Sequence, residues 1–153
     1  ELIQSTERAL LSASEKPSPV RLFCGRYSPQ NRTLTYVNAG AVPPLMVRRE
    51  PDGAQVLRLP ESSAPMAIEP PTVFRVAEVP LRPGDLVAVP SLSLLFHPAA
   101  DPNEPLSDSR LADALIEWED RRASDLVRLV FRAIEEAGPA PATDRAMVLL
   151  KAV

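Results

Sequence analysis

The stretch Leu34-Thr35-Tyr36-Val37-Asn38-Ala39-Gly40, continued two residues later by Pro43-Pro44-Leu45, sets the reading of this chain. Leu34 to Asn38 is rich in β-formers and reads as a strand. On its N-terminal side Val20 to Tyr27 reads as another. Ser28-Pro29-Gln30-Asn31-Arg32 between them holds the turn formers of a hairpin connection. On the other side, Pro44 to Val47 and Gln55 to Leu59 flank Pro51-Asp52-Gly53 and predict a second hairpin. Val73 to Val79 and Asp85 to Val89, joined by Arg82-Pro83-Gly84, predict a third. The chain has 18 prolines in 153 residues, well above the usual share of roughly 5%. Such a density suits an antiparallel meander with prolines at strand ends and edges.

The ends of the chain are helical in pattern. Residues 1–14 carry Leu2, Ile3, Leu10 and Leu11 among polar residues, and Pro17 and Pro19 stop the helix. Residues 97–106 read as a loop. Ser107 or Ser109 then caps a helix with Leu111, Ala114, Leu115 and Trp118 on one face. A stronger helix begins near Ser124, with Leu126, Val127, Val130, Phe131 and Ile134 as its apolar set and Gly138-Pro139 as its stop. Met147 to Leu150 supplies a last strand. Strands and helices are segregated, which defines an α+β fold. The length fits a single domain over residues 1–153. Because Glu1 opens directly in a helical pattern, that domain is expected to be the C-terminal portion of a larger protein.

Hydrophobic residues make up 45% of the chain and charged residues 24%, which excludes whole-chain disorder. Seventeen bases against twenty acids give a net charge of −3, with no broad electrostatic attraction to nucleic acid. No apolar run approaches the roughly 18 residues of a spanning helix, and no signal peptide is visible, so a cytoplasmic location is expected. The single cysteine, Cys24, lies in Leu22-Phe23-Cys24 and is expected to be a small buried hydrophobe.

The segment 34–45, together with Leu81-Arg82-Pro83-Gly84-Asp85-Leu86-Val87, resembles the SpoIIE-like branch of the type 2C (PPM) metal-dependent Ser/Thr protein phosphatases. That family reads "L-x-Y-x-N-A-G-H-x-P-P-L", then "G-x-P-L-G", "L-x-P-G-D-x-L-x-x-Y-T-D-G" and "D-D-x-T-L-x-V". Ala64-Pro65-Met66-Ala67 resembles the second motif, with Ala67 at its final glycine. The resemblance implies an antiparallel β-sandwich flanked by helices, in α-β-β-α layers, here incomplete at the N-terminus. It implies Mn²⁺ or Mg²⁺ as the family's cofactor and phosphoserine or phosphothreonine as its substrate. It also implies a place in bacterial partner switching that controls sigma factors.

The metal motifs depart from the family. Hard divalent cations need oxygen ligands, preferably charged ones. Counting from Gly84-Asp85 puts Leu92 at the metal aspartate of "Y-T-D-G", with Pro90 at its tyrosine and Ser93 at its glycine. Counting back from Met147 puts Thr143 at the first acid of "D-D", leaving Asp144 as the surviving acid. Ala41 replaces the histidine, and the segment Pro90 to Pro98 contains no Asp or Glu. No catalytic residue, intact metal site or bound cofactor is therefore expected in this chain. Asp85 reads as turn chemistry, and Asp144 as either a metal remnant or the polar start of the last strand. Nothing orients His97, the only histidine, toward Ser91 or Ser93 as a base.

The expected function is a catalytically degenerate, regulatory or interaction module. Its partner would be a protein such as an anti-sigma-factor antagonist or a second copy of the chain, and neither nucleic acid nor membrane. Leu94, Leu95, Phe96 and Trp118 are the candidate interaction surface, unless the apolar residues of 92–96 fill the vacated site instead. The alternative is an active Mn/Mg-dependent phosphatase whose missing ligands come from an upstream segment.

Overall fold

The structure is a computed structural model that describes residues 1–13, 15–16, 18–68, 72–95, 108–136 and 144–153, with backbone alone at 108–110 and 134. In chain order the elements are α1 (Leu2–Ala13), β1 (Leu22–Ser28), β2 (Thr33–Ala39), β3 (Leu45–Glu50), β4 (Gly53–Arg58), β5 (Ala77–Pro80), β6 (Leu86–Pro90), α2 (Leu92–Leu95), α3 (Asp108–Glu117), α4 (Ala123–Glu136) and β7 (Met147–Lys151). The class is α+β with antiparallel sheets, as the sequence implies. The chain divides into two compact units, Glu1–Pro43 with Pro60–Leu81, and Pro44–Leu59 with Arg82–Val153.

The first unit holds the sheet β1-β2-β5. β1 and β2 form the expected hairpin, in register from Leu22 opposite Ala39 to Ser28 opposite Thr33, and Arg32 closes the loop at φ 48°. Alternation along β2 places Val37 and Ala39 on one face, where they bury with Met66 against Ile3 and Leu10 of α1. Glu7, on the same helix, is buried too. Its carboxylate accepts the backbone N–H groups of Thr72 at 3.2 Å and Ala67 at 3.4 Å, so a charged residue ties α1 to the segment beyond Met66. Cys24 is only partly buried because β1 is an edge strand, which corrects the expectation of full burial.

The end of β2 is fastened by Asn38, which is fully buried. Its N–H donates to Ser62 Oγ at 3.0 Å, and its carbonyl accepts the N–H groups of Ser62 and Ser63. Its side-chain Oδ1 accepts the N–H of Ala41 at 2.9 Å. Gly40 follows at φ 67° and donates to Ser63 O. A Cβ at this position would lie 2.5 Å from Pro65 Cγ. The Asn-Ala-Gly motif thus builds the join between β2 and residues 60–66.

The second unit holds the sheet β4-β3-β6-β7. β3 and β4 form the expected hairpin, with Glu50 opposite Gly53 and Gly53 at φ 129°. β6 pairs with β3 on one side and β7 on the other. Leu45, Met46, Val47, Leu86, Val87 and Ala88 are all buried at the centre of this sheet. α3 contacts β3 and α4 contacts β7, burying Leu111, Ala112, Leu115, Leu126 and Val130. Lys151 Nζ at the end of β7 donates to Glu119 O at 2.6 Å and Arg121 O at 2.9 Å, pinning the α3–α4 turn.

The third predicted hairpin does not form. β5 pairs with β2, whereas β6 lies between β3 and β7 in the other sheet. At the junction, Leu81 N–H donates to Arg32 O, while Gly84 N–H donates to Ala152 O and Ala152 N–H to Asp85 O. The turn at 82–85 therefore hands the chain to β7 rather than back to β5. β5 is also shorter than its β-rich sequence, because Thr72 and Arg75 spend their N–H groups on Glu7 and on Ser63 Oγ. On α3 the buried partner of Leu111 and Leu115 is Ala112, with Ala114 partly exposed.

Two opposite effects are expected at the left-handed positions. Gly40→Ala should destabilise the chain by about 2–4 kcal/mol, from the backbone and the collision with Pro65. Ala67 sits at φ 58° where the family motif has glycine, so Ala67→Gly should stabilise by about 1 kcal/mol. Urea unfolding with unchanged m-values reads both.

Candidate functional site

β6 and β7 run antiparallel, with Pro90 opposite Met147. This register sets residues 91–95 beside residues 144–146, the two segments to which the sequence assigns the metal positions. Proline supplies no N–H at the end of β6. Beyond it the pairing continues through Ser91, whose N–H donates to Ala146 O at 2.8 Å and whose Oγ accepts the Ala146 N–H at 3.0 Å. Ser91 Oγ lies 3.0 Å from Ser93 Oγ, and Ser93 Oγ donates to the carbonyl of Asp144 in a short contact. Leu94 N–H closes the first turn of α2 on Ser91 O at 3.0 Å. Sequence reasoning weighed these serines only as nucleophiles. Their spacing of two after a strand-ending proline is the signal that marks them as linkers.

Leu92, at the expected metal position, is 44% exposed at the start of α2. Asp144 is exposed as well. Leu94 and Leu95 turn inward and are buried, which withdraws them from the expected contact surface. Thr143, Phe96 and His97 lie outside the described residues. Trp118 is partly buried in the turn after α3, where its carbonyl accepts the Arg121 N–H at 2.9 Å.

Among the described residues, the donor set at this end does not fit a pair of divalent cations. The described residues there offer an alkyl chain, two hydroxyls bonded to each other and one carboxylate. Among the described residues no three of His, Cys, Asp and Glu converge on a point. Mg²⁺ and Mn²⁺ favour several oxygen ligands with anionic charge.

Asp85 is the other acid that the motif reading singled out, and its surroundings are structural. It is 2% exposed, and Arg48 grips it through Nε at 3.1 Å to both carboxylate oxygens and through Nη2 at 2.6 Å. Asp85 Oδ2 also accepts the Arg82 N–H at 2.7 Å. The hydrogen bond to Asp85 raises the Arg48 guanidinium above its ordinary range against the opposing effect of burial. A raised cation contributes its stability below its unfolded value and loses it only as pH climbs past the folded one. For Arg48 that window lies above the normal guanidinium range, so the pair survives mild alkali.

The fold and the motif order define a type 2C phosphatase-like domain. The profile of the family described as Stage II sporulation protein E (SpoIIE) matches residues 1–153, and the chain belongs to that family. Among solved structures, the SiaA-PP2C domain of Pseudomonas aeruginosa superposes with a TM-score of 0.77 at 18% identity, covering 96% of this chain and 57% of that one. The RsbU and RsbW domains of a Mycobacterium tuberculosis protein give 0.69 at 20% identity, covering 96% and 39%. The PP2C phosphatase domain of SpoIIE from Bacillus subtilis, with a fragment of its regulatory domain, gives 0.67 at 15% identity, covering 96% and 42%. The chain thus spans 39% to 57% of these structures. No curated protein matches by sequence. Among the described residues, no helix is long and apolar enough to cross a membrane.

Asp85→Asn removes the charge that balances a largely buried guanidinium. It should cost about 3 kcal/mol, read as a lower urea midpoint. Arg48→Lys should also lower the midpoint, since an ammonium cannot reproduce the forked grip.

Proposed function

We propose that this chain is a catalytically degenerate SpoIIE-type phosphatase domain that serves as a regulatory or interaction module in partner-switching signalling. The observation that carries this reading is Leu92. An exposed leucine heads α2 where the motif order calls for a metal-holding aspartate. With Thr143 in place of a second acid, Asp144 is the one acid that these two motifs keep within residues 1–153. Water activation by a metal pair requires a coordination shell that such residues do not supply. The chain is read as working without Mn²⁺ or Mg²⁺.

The partner is read as a protein of the same kind of pathway, an anti-sigma-factor antagonist or a second copy of the chain, in the cytoplasm. In its support, one structural relative carries RsbU and RsbW domains in one protein. Trp118 remains the candidate anchor, since partly exposed aromatic side chains are frequent binding hot spots. The competing reading is an active phosphatase completed by ligands from outside residues 1–153. It draws on the surviving Asp144 and on the 57% span of the SiaA domain.

A phosphate-release assay separates the two. With Mn²⁺ and a phosphoserine peptide, the full-length protein should show no turnover under conditions where the SpoIIE phosphatase domain of Bacillus subtilis does. Asp144→Asn should change nothing. Metal-dependent release that disappears in Asp144→Asn would establish the competing reading.

A further inference from the structure

Counting protons gives the serine contacts at the β6–β7 end a direction. Ser93 has one hydroxyl proton and gives it to Asp144 O. Ser93 Oγ therefore accepts in its 3.0 Å contact with Ser91 Oγ, so Ser91 is the donor. Ser91 Oγ in turn accepts the Ala146 N–H. The result is a one-way chain from the Ala146 amide through Ser91 and Ser93 to the Asp144 carbonyl. Each link polarises the next. It satisfies two backbone groups that flank Arg145 and have no strand partner, and it starts at Ser91, whose carbonyl is turned to the Leu94 N–H and so leaves the Ala146 amide to the hydroxyl.

We infer that this hydroxyl relay fastens the end of β6 to the start of β7 without any ion, at the place where the family's motif order puts metal-binding carboxylates. The comparison with metal positions rests on the functional reading above; the relay itself rests on geometry alone. Neutral hydroxyls bring no mutual repulsion for a cation to offset, whereas clustered carboxylates do. The end of the domain is thus locked in one arrangement whether or not divalent cations are present.

Thermal unfolding of the full chain tests the inference. Ser91→Ala and Ser93→Ala should each lower Tm by about 2–6 °C. Because either change breaks the same relay, the double variant should fall by clearly less than the sum. Ser91→Thr, which keeps the hydroxyl, should restore most of the loss. Neither 1 mM MnCl₂ nor EDTA should move the wild-type Tm. In the wild-type chain the Ala146 amide, on an exposed residue, should exchange with deuterium slowly, a readout that needs no variant. Additive or absent effects of the two substitutions, or free exchange at Ala146, would overturn the relay. A Tm rise with Mn²⁺ that EDTA reverses would overturn its independence from ions. Phosphatase activity would sink the functional reading yet leave the serine coupling intact.

Discussion

Strand β6 has no free edge, and the second unit is organised around that constraint. β3 occupies one side and β7 the other, so Leu86, Val87 and Ala88 sit in the middle of the sheet. This pairing brings a segment more than fifty residues away in sequence, the run into β7, next to the residues that follow Pro90. The Asp85 carboxylate braces the entrance to β6 through Arg48 and the Arg82 amide. At the exit, the Ser91 amide and hydroxyl and the Ser93 hydroxyl carry the pairing with residues 144–146 beyond the last ladder pair. Both ends of one short strand are held by side chains, with an ion pair at one and neutral hydrogen bonds at the other.

Much of the fold was legible because it is local. The β1–β2 and β3–β4 hairpins announce themselves through turn residues between β-rich runs, and α4 through its apolar spacing. The third hairpin failed because strand composition says nothing about which sheet receives a strand. The same Arg82-Pro83-Gly84 turn that reads as a hairpin connection also suits a chain leaving one sheet for another. α2 was invisible as a helix, since four residues so soon after a proline carry no periodicity. Glu7 gave no signal either: a glutamate on an amphipathic helix looks solvent-facing until the amides it accepts are known.

The candidate site was legible in a different sense. Family motifs assign metal positions to two segments, and the register of β6 against β7 brings the Leu92 and Asp144 segments together. What the sequence could not supply was the use to which Ser91 and Ser93 are put. A serine is an equally plausible nucleophile, cap or linker until its neighbours are seen. Here both hydroxyls are committed to backbone groups and to each other. Leu94 and Leu95 posed a similar ambiguity, which burial decides in favour of packing.

Gly40 shows how little a sharply restricted position need have to do with chemistry. Its backbone is left-handed and the ring of Pro65 fills the space where any side chain would begin. In a saturation mutagenesis screen scored on cell growth, position 40 would tolerate almost nothing, and a reader of that screen would mark it as an active-site residue. The intolerance would come from steric exclusion beside a buried asparagine. In a phosphatase-like fold, maps of mutational sensitivity report on architecture first, and only an assay of the reaction itself separates scaffold from catalyst.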